Sequence, residues 1–367
     1  MLSHGLSRLG LGLGLGLLLL GSGLGRASAR ERMASVAVFP VENLSGRGIP
    51  AEQVRQFLID RFSGQGVTVL GDQALDAFIA RHRVRYEAGI DAATAELLRQ
   101  ETGVEGVVIA SVELSSEDAP AKFALFARLI SIKAAPVVVW ADDAGMAGDE
   151  APGLFELGLV NDYQEVLKRV LDRLGNSLVA YLKNGEIRAD LKRASKFRPK
   201  SSYRGLILEP GRPYSVAVVP FFNLSERRNA GEIMALLFIR HLSAFPRFKV
   251  LDTGVARRQL LDARVIMDAG LSIRDAETVA ALIEADFVLA GRVLRYEDYD
   301  GPAGRTGVEF SAVLIEKASR KVVWSSDSYN EGSDGLGLFE RGRSRTAHAM
   351  ATQMVRLTTE RIAGRDH

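Results

Sequence analysis

Apolar residues along the chain form two kinds of run. Short, nearly unbroken ones, at 36–39, 104–112 and 287–293, read as strands covered on both faces. Between them apolar positions recur at helical spacing. Val54, Phe57, Leu58 and Phe62 fall on one face of a helix that enters at Pro50, a residue suited to a first turn, and stops at Gly64 and Gly66. A short strand at 67–70 follows. Two further helices carry apolar faces at Leu75, Phe78, Ile79 and at Ala93, Leu97, Leu98, the second capped by Asp91. Residues 123–132 and 136–140 read as an antiparallel strand pair. The stripe Val166, Val170, Leu174, Leu178 marks a long amphipathic helix over 155–182.

The same order then returns. Ser35-Val36-Ala37-Val38-Phe39-Pro40, closing on Asn43-Leu44-Ser45, reappears as Ser215-Val216-Ala217-Val218-Val219-Pro220, closing on Asn223-Leu224-Ser225, an offset of 215 − 35 = 180 residues. Val138-Val139-Trp140 recurs as Val322-Val323-Trp324, and Gly153-Leu154-Phe155-Glu156 as Gly337-Leu338-Phe339-Glu340. A period this long means two copies of one domain, since solenoid units run only ~20–50 residues. The second copy has its first helix at Ile233, Leu236, Leu237 and Leu242, and its strand pair at 308–315 and 322–325. The expected fold class is α/β: two homologous three-layer modules, 33–182 and 214–363, each a mixed β-sheet flanked by helices in the order β-α-β-α-α-β-β-β-α. The stretch 183–213, rich in Arg and Lys and interrupted by Pro199 and Pro210, reads as an exposed basic linker, helical to Ala194. A docking strip for anionic lipid or an acidic partner is the other reading of those charges, the first giving peripheral membrane association a basis.

Residues 1–29 look like a secretory leader: Arg8, then apolar residues and glycines, then Ala27-Ser28-Ala29 as a cleavage site. Retention as an anchor is the alternative. The Gly-Leu repeat in it imitates a nucleotide loop but follows no strand. The formal charge of +2 includes Arg8 and Arg26 and the leader holds no acid, so 2 − 2 = 0 for the mature chain. A neutral chain argues against nucleic-acid binding. Cys is absent, which excludes disulfides, thiol catalysis and a lipid-bearing cysteine.

Candidate chemistry is sparse. The five histidines, His4, His82, His241, His348 and His367, are scattered with no metal-ligand spacing, and no phosphate loop or nucleophile elbow occurs. The expectation is a protein with no enzymatic activity, no cofactor and no metal. The candidate binding residues are Asn43, Ser45, Asn223 and Ser225, because loops at strand carboxyl ends are where α/β sheets place ligands. The competing reading is that they bond their own backbone and close a turn. Phe155 and Phe339 are either partner anchors or packing residues, and Trp140 and Trp324 should cap the core.

The pattern Val216 to Asn223, then 248–252, then 285–293, with looser counterparts at Val36 to Asn43, 67–72 and 104–112, resembles bacterial envelope modules of the TolB N-terminal-domain type and the curli-secretion lipoprotein (CsgG-like) family. The resemblance implies a periplasmic or outer-membrane-associated domain that binds other cell-envelope proteins in secretion, surface assembly or envelope regulation, with a homo-oligomer compatible with it. No long alternating hairpins of the kind that build a membrane barrel wall are seen, so secretion-pore activity is not implied. The rival expectations are a periplasmic small-molecule sensing or transport-auxiliary protein using the Asn-x-Ser loops, and an enzyme with an unrecognised carboxylate site.

Overall fold

The structure is a computed structural model; it describes residues 33–84, 89–149, 159–188, 197–265, 273–298, 305–334, 344 and 346–364. The leader-like residues 1–29, and Phe155 and Phe339, lie outside these. Two mixed sheets and, among the described residues, eight helices form two α/β modules.

In the first module β1 (Ser35–Val38) is followed by β2 (Glu42–Asn43), α1 (Ala51–Ser63), β3 (Thr68–Val69), α2 (Asp72–His82), α3 (Ala92–Thr102), β4 (Gly106–Ser116), β5 (Lys122–Ser131), β6 (Val137–Ala147) and α4 (Tyr163–Asn184). The sheet order is β3-β1-β4-β5-β6. β1 runs parallel to β3 and β4, β2 runs parallel to β4, and β4, β5 and β6 are antiparallel neighbours. Pro40, which has no N–H for a ladder, follows β1 and limits it to four residues. Val54, Leu58 and Phe62 of α1 join Val166, Val170 and Leu174 of α4 against one face of this sheet. Leu75, Phe78, Ala95 and Leu98 of α2 and α3 cover the other face.

The second module repeats the order. β7 (Ser201–Arg204) precedes β8 (Tyr214–Val218), β9 (Phe222–Asn223), α5 (Ala230–Ser243), β10 (Phe248–Val250), α6 (Thr253–Asp262), α7 (Ile273–Leu282), β11 (Phe287–Glu297), β12 (Gly307–Glu316), β13 (Lys321–Glu331) and α8 (Ala347–Ile362). Its sheet runs β10-β8-β11-β12-β13-β7, with β9 on β11.

The modules are docked through α5 and α8. α5 is counterpart to α1, but where α1 exposes Gln53, Gln56 and Asp60, every residue from Ala230 to Leu242 of α5 is buried except Glu232, which is half-buried. A helix apolar around its whole circumference belongs in an interior. Here Phe238 packs on Phe221 and Phe310 of its own module, while Ile233 and Leu236 share one continuous core with Phe126, Ile130 and Ala141 of the first sheet. The sheet edges also meet: Val137 bridges Leu251, and the Asp252 N–H donates to the Pro136 carbonyl at 3.1 Å.

Four expectations need correction. The last helix of the first module begins at Tyr163, not 155; residues 159–162 are not helical, because Asp162 caps the helix by accepting the Gln164 N–H at 2.9 Å. That helix ends at Asn184, with Gly185 at φ 71°, so the linker is not helical over 185–188. The segment read as an exposed connector buries Phe197 and Leu206 and adds β7 to the edge of β13, with Ser201 opposite Asp327 and Arg204 opposite Trp324. Finally, the last strands run to Ala147 and Glu331, well past Trp140 and Ser325. In β6 the continuation passes through Asp142 and Asp143, whose charges are answered from the second module. Trp140 and Trp324 are both fully buried.

Candidate functional site

The four candidate loop residues form two copies of one device. The Asn43 side-chain oxygen accepts the Ser45 N–H at 3.0 Å and the Ser45 hydroxyl at 2.7 Å, while its Nδ2 donates to the Arg47 carbonyl at 2.7 Å. Asn223 makes the same three bonds with Ser225 and Arg227 at 3.0, 2.7 and 2.7 Å. Each asparagine closes its own turn, which fixes where the chain leaves the sheet. The second turn thereby aims Arg227 and Asn229 at the first. Arg227 Nη1 donates to the Ser45 carbonyl at 3.2 Å, its Nη2 donates to the Glu113 carbonyl, and Asn229 Nδ2 donates to the Leu44 carbonyl at 3.2 Å. The structure therefore brings the two loops together through Arg227, and of the four candidates Ser45 lines the resulting cleft.

Behind the loops a charged strip is sealed between the modules. His348, on the first turn of α8, bridges Glu113 of β4 through Nδ1 and Asp143 of β6 through Nε2, the latter at 3.1 Å. Burial alone would pull His348 down, but the flanking Glu113 and Asp143 carboxylates hold it up, at about 10, so it is a cation at neutral pH. Burial also opposes charge on Asp143, yet Arg240 and His348 win and keep it well below the usual carboxylate range. Arg240 of α5 sets Nε 2.8 Å from Asp143 Oδ1 and Nη2 3.1 Å from Asp142 Oδ1; Arg188 reaches Asp142 Oδ1 at 3.0 Å. Burial raises Asp142 despite these two cations. His241, desolvated and beside Arg240, is held well below its ordinary value and is neutral. Its Nδ1 accepts from Arg240 Nη1 at 2.7 Å, and its Nε2 lies 3.0 Å from the Thr352 hydroxyl.

A second sealed pair sits further along. Arg128 of β5 and Asp252, the N-cap of α6, are both fully buried, with Nε 2.8 Å from Oδ1. Asp252 Oδ2 accepts the Ile90 N–H at 2.7 Å and the Gly254 N–H at 3.1 Å. The approach leaves no room for side chains: a Cβ on Gly254 would lie 2.5 Å from the Ile90 backbone.

Outside the strip, a cleft of about 770 Å³ opens between the modules beside Ser45, Arg47, Lys122, Arg227, Tyr296 and Asp298. Tyr296 is 4% exposed, and its hydroxyl has no hydrogen-bond partner; Arg227 Nε is likewise unmatched. Burial, then Glu113 and Asp298, push the Tyr296 phenol well above its ordinary value, so it is a neutral donor. Burial also raises Asp298, which accepts the Ala347 N–H at 2.8 Å. The cleft wall also carries the carboxylates Asp118, Asp149, Glu226 and Glu297. Among the described residues no group of His, Asp and Glu side chains could hold a metal ion, and no helix is long and apolar enough to cross a membrane.

Sequence reasoning missed Glu113, Asp142, Asp143, Arg128, Arg240 and His348. The signal was present as charges inside otherwise apolar strand and helix runs, most clearly Arg128 within 123–132 and Asp142-Asp143 after Trp140.

No protein-family model matches the chain, and comparison with curated proteins finds no match either. Among solved structures the chain is similar to the PelC dodecamer from Paraburkholderia phytofirmans, at 24% identity over 42% of this chain and 91% of that one, with a TM-score of 0.30. It is similar to the LpoB C-terminal domain from Salmonella enterica at 14% identity, covering 32% of this chain and 86% of that one, TM-score 0.28. Lipoprotein GNA1162 from Neisseria meningitidis shares 17% identity over 40% of this chain and 99% of its own, TM-score 0.27.

Proposed function

We propose that this chain is an exported, non-catalytic component of the bacterial cell envelope that binds other envelope proteins as a rigid two-module body. The observation that carries the reading is what the buried ionisable groups do. His348, Arg240, Asp143 and Glu113 are committed to each other across the module junction, so their chemistry fixes one module on the other. The leader-like residues 1–29 and the strand motifs of the envelope families support the compartment. Partner contact then falls on outward surfaces, where Leu294 and Tyr329 stand 39% and 56% exposed on the second sheet. Photo-crosslinking residues at 294 and 329, expressed in the native host, should each capture the same defined envelope protein, with a matching crosslink from that protein back to this face. Crosslinks to no protein at either site, with the chain intact in the periplasm, would overturn the reading.

A second reading is favoured by the unmatched Tyr296 hydroxyl and Arg227 Nε: a small neutral ligand in the cleft beside Ser45. A thermal-shift screen decides it, because a ligand present at 100 times its Kd adds about 2.7 kcal/mol of stability. A Tyr296→Phe variant should lose part of that gain.

A further inference from the structure

The contact between the modules is heterologous: the α5/α8 face of one copy lies on the sheet face of the other. Such a contact can in principle repeat head to tail from molecule to molecule and build a ring or a filament. Among the described residues each chain keeps one unpaired half at either end, the outer face of α1 and α4 and the face of the second sheet opposite α5 and α8. We infer that the duplication has closed this interface, and that the chain is a self-terminated pair in which neither free half accepts another copy.

The residues at equivalent positions carry the inference. With the Ser35/Ser215 offset, the α5 residues that enter the first sheet's core, Ile233, Leu236 and Arg240, correspond to Gln53, Gln56 and Asp60 on α1, all exposed. In the Trp140/Trp324 register, the strand partner Asp143 corresponds to Asp327, also exposed. Where the internal junction has Arg240 against Asp143, a third module would therefore set Asp60 against Asp327, two like charges. Matched by helix N-cap and by the bulges of β4 and β11, His348 against Glu113 becomes Gln164 against Leu294. Arg128 against Asp252 becomes Val313 against Gly71. These three ion pairs are lost and one of them becomes a like-charge pair, which in an interface acts against association.

The backbone edge is closed as well. At the junction β6 meets the end of β10 through Val137 and Leu251. The equivalent edge of β13 is occupied by β7, whose flanking Lys200 and Gly205 N–H groups donate to the Asp327 and Val323 carbonyls at 2.9 and 2.8 Å. The opposite edge, β3, is only two residues long. Covered and shortened edges are how sheets avoid further pairing.

The absence of cysteine makes the test clean. Gln164→Cys and Leu294→Cys in the otherwise intact chain, which leave Asp60 and Asp327 in place, treated with a short bis-maleimide, should give no intermolecular dimer above the level of either single variant. Adding Gln53→Ile, Gln56→Leu and Asp60→Arg, which rebuilds the α5-like face, should raise the dimer band several-fold. An intermolecular 164–294 crosslink without those changes would overturn the inference, whatever the mass of the native particle; so would a rebuilt face that gives no increase.

Discussion

The Arg128–Asp252 pair offers the sharpest perturbation of the docked arrangement. The two residues are 124 apart in the chain, belong to different modules and are both fully buried. Arg128→Met leaves the Asp252 carboxylate in a buried site with, among the described residues, the Ile90 and Gly254 N–H groups to answer it. Orphaning one member of a buried pair costs about 3–5 kcal/mol. Unfolding entropy of about 2.1 cal/mol/K per residue gives roughly 0.7 kcal/mol/K for a body of about 335 residues, so Tm should fall by about 4–7 °C if the modules melt together. Asp252→Asn keeps the cap acceptor but takes the carboxylate charge from the Arg128 guanidinium, and should also destabilise. The double variant leaves no unpaired charge, and its loss should be smaller than the sum of the singles by about 1–3 kcal/mol. Denaturant unfolding of the four proteins measures this directly. Additive losses would mean that the two side chains do not meet across the junction, and the docking described here would be wrong.

Three further outcomes follow from the same contacts. Gly254→Ala should cost about 1–3 kcal/mol in denaturant unfolding, because its Cβ would lie 2.5 Å from the Ile90 backbone and the modules must part to admit it. His348, at about 10 when folded and near 6.5 unfolded, adds stability that is complete below about pH 6.5 and lost as pH climbs through about 10; the stability difference between the native chain and His348→Gln should be largest at pH 6 and shrink toward pH 10. Tyr296→Phe removes a buried hydroxyl that has no partner, so in the absence of ligand the melting temperature should hold or rise slightly.

Much of the fold was legible because the two modules repeat the same strand and helix periods, and Pro40, Gly64 and Asp91 mark boundaries by local chemistry. What was not legible is how the modules meet. Arg240 finds Asp142 from 98 residues away and His348 finds Glu113 from 235, separations at which residue spacing carries no signal. A warning did exist in α5. Ile233, Leu236, Leu237 and Leu242 looked like one apolar face, but Met234, Ala235, Phe238 and Ile239 fill the rest of the circumference, as a helix between two sheets requires. The last strands run past their expected ends for the converse reason: Asp142-Asp143 reads as a strand end, and only the cations of the second module let the strand continue through it. The Asn-Leu-Ser loops were found from sequence, though their side chains turn inward and it is Arg227, two residues further on, that reaches the other module.

Differential scanning calorimetry of the full chain tests the docking of the modules most directly. A single transition with equal calorimetric and van't Hoff enthalpies is the predicted result, since α5 sits in one continuous core shared by both modules. Two separated transitions, each with about half the total enthalpy, would show that the halves stand or fall independently and would contradict it.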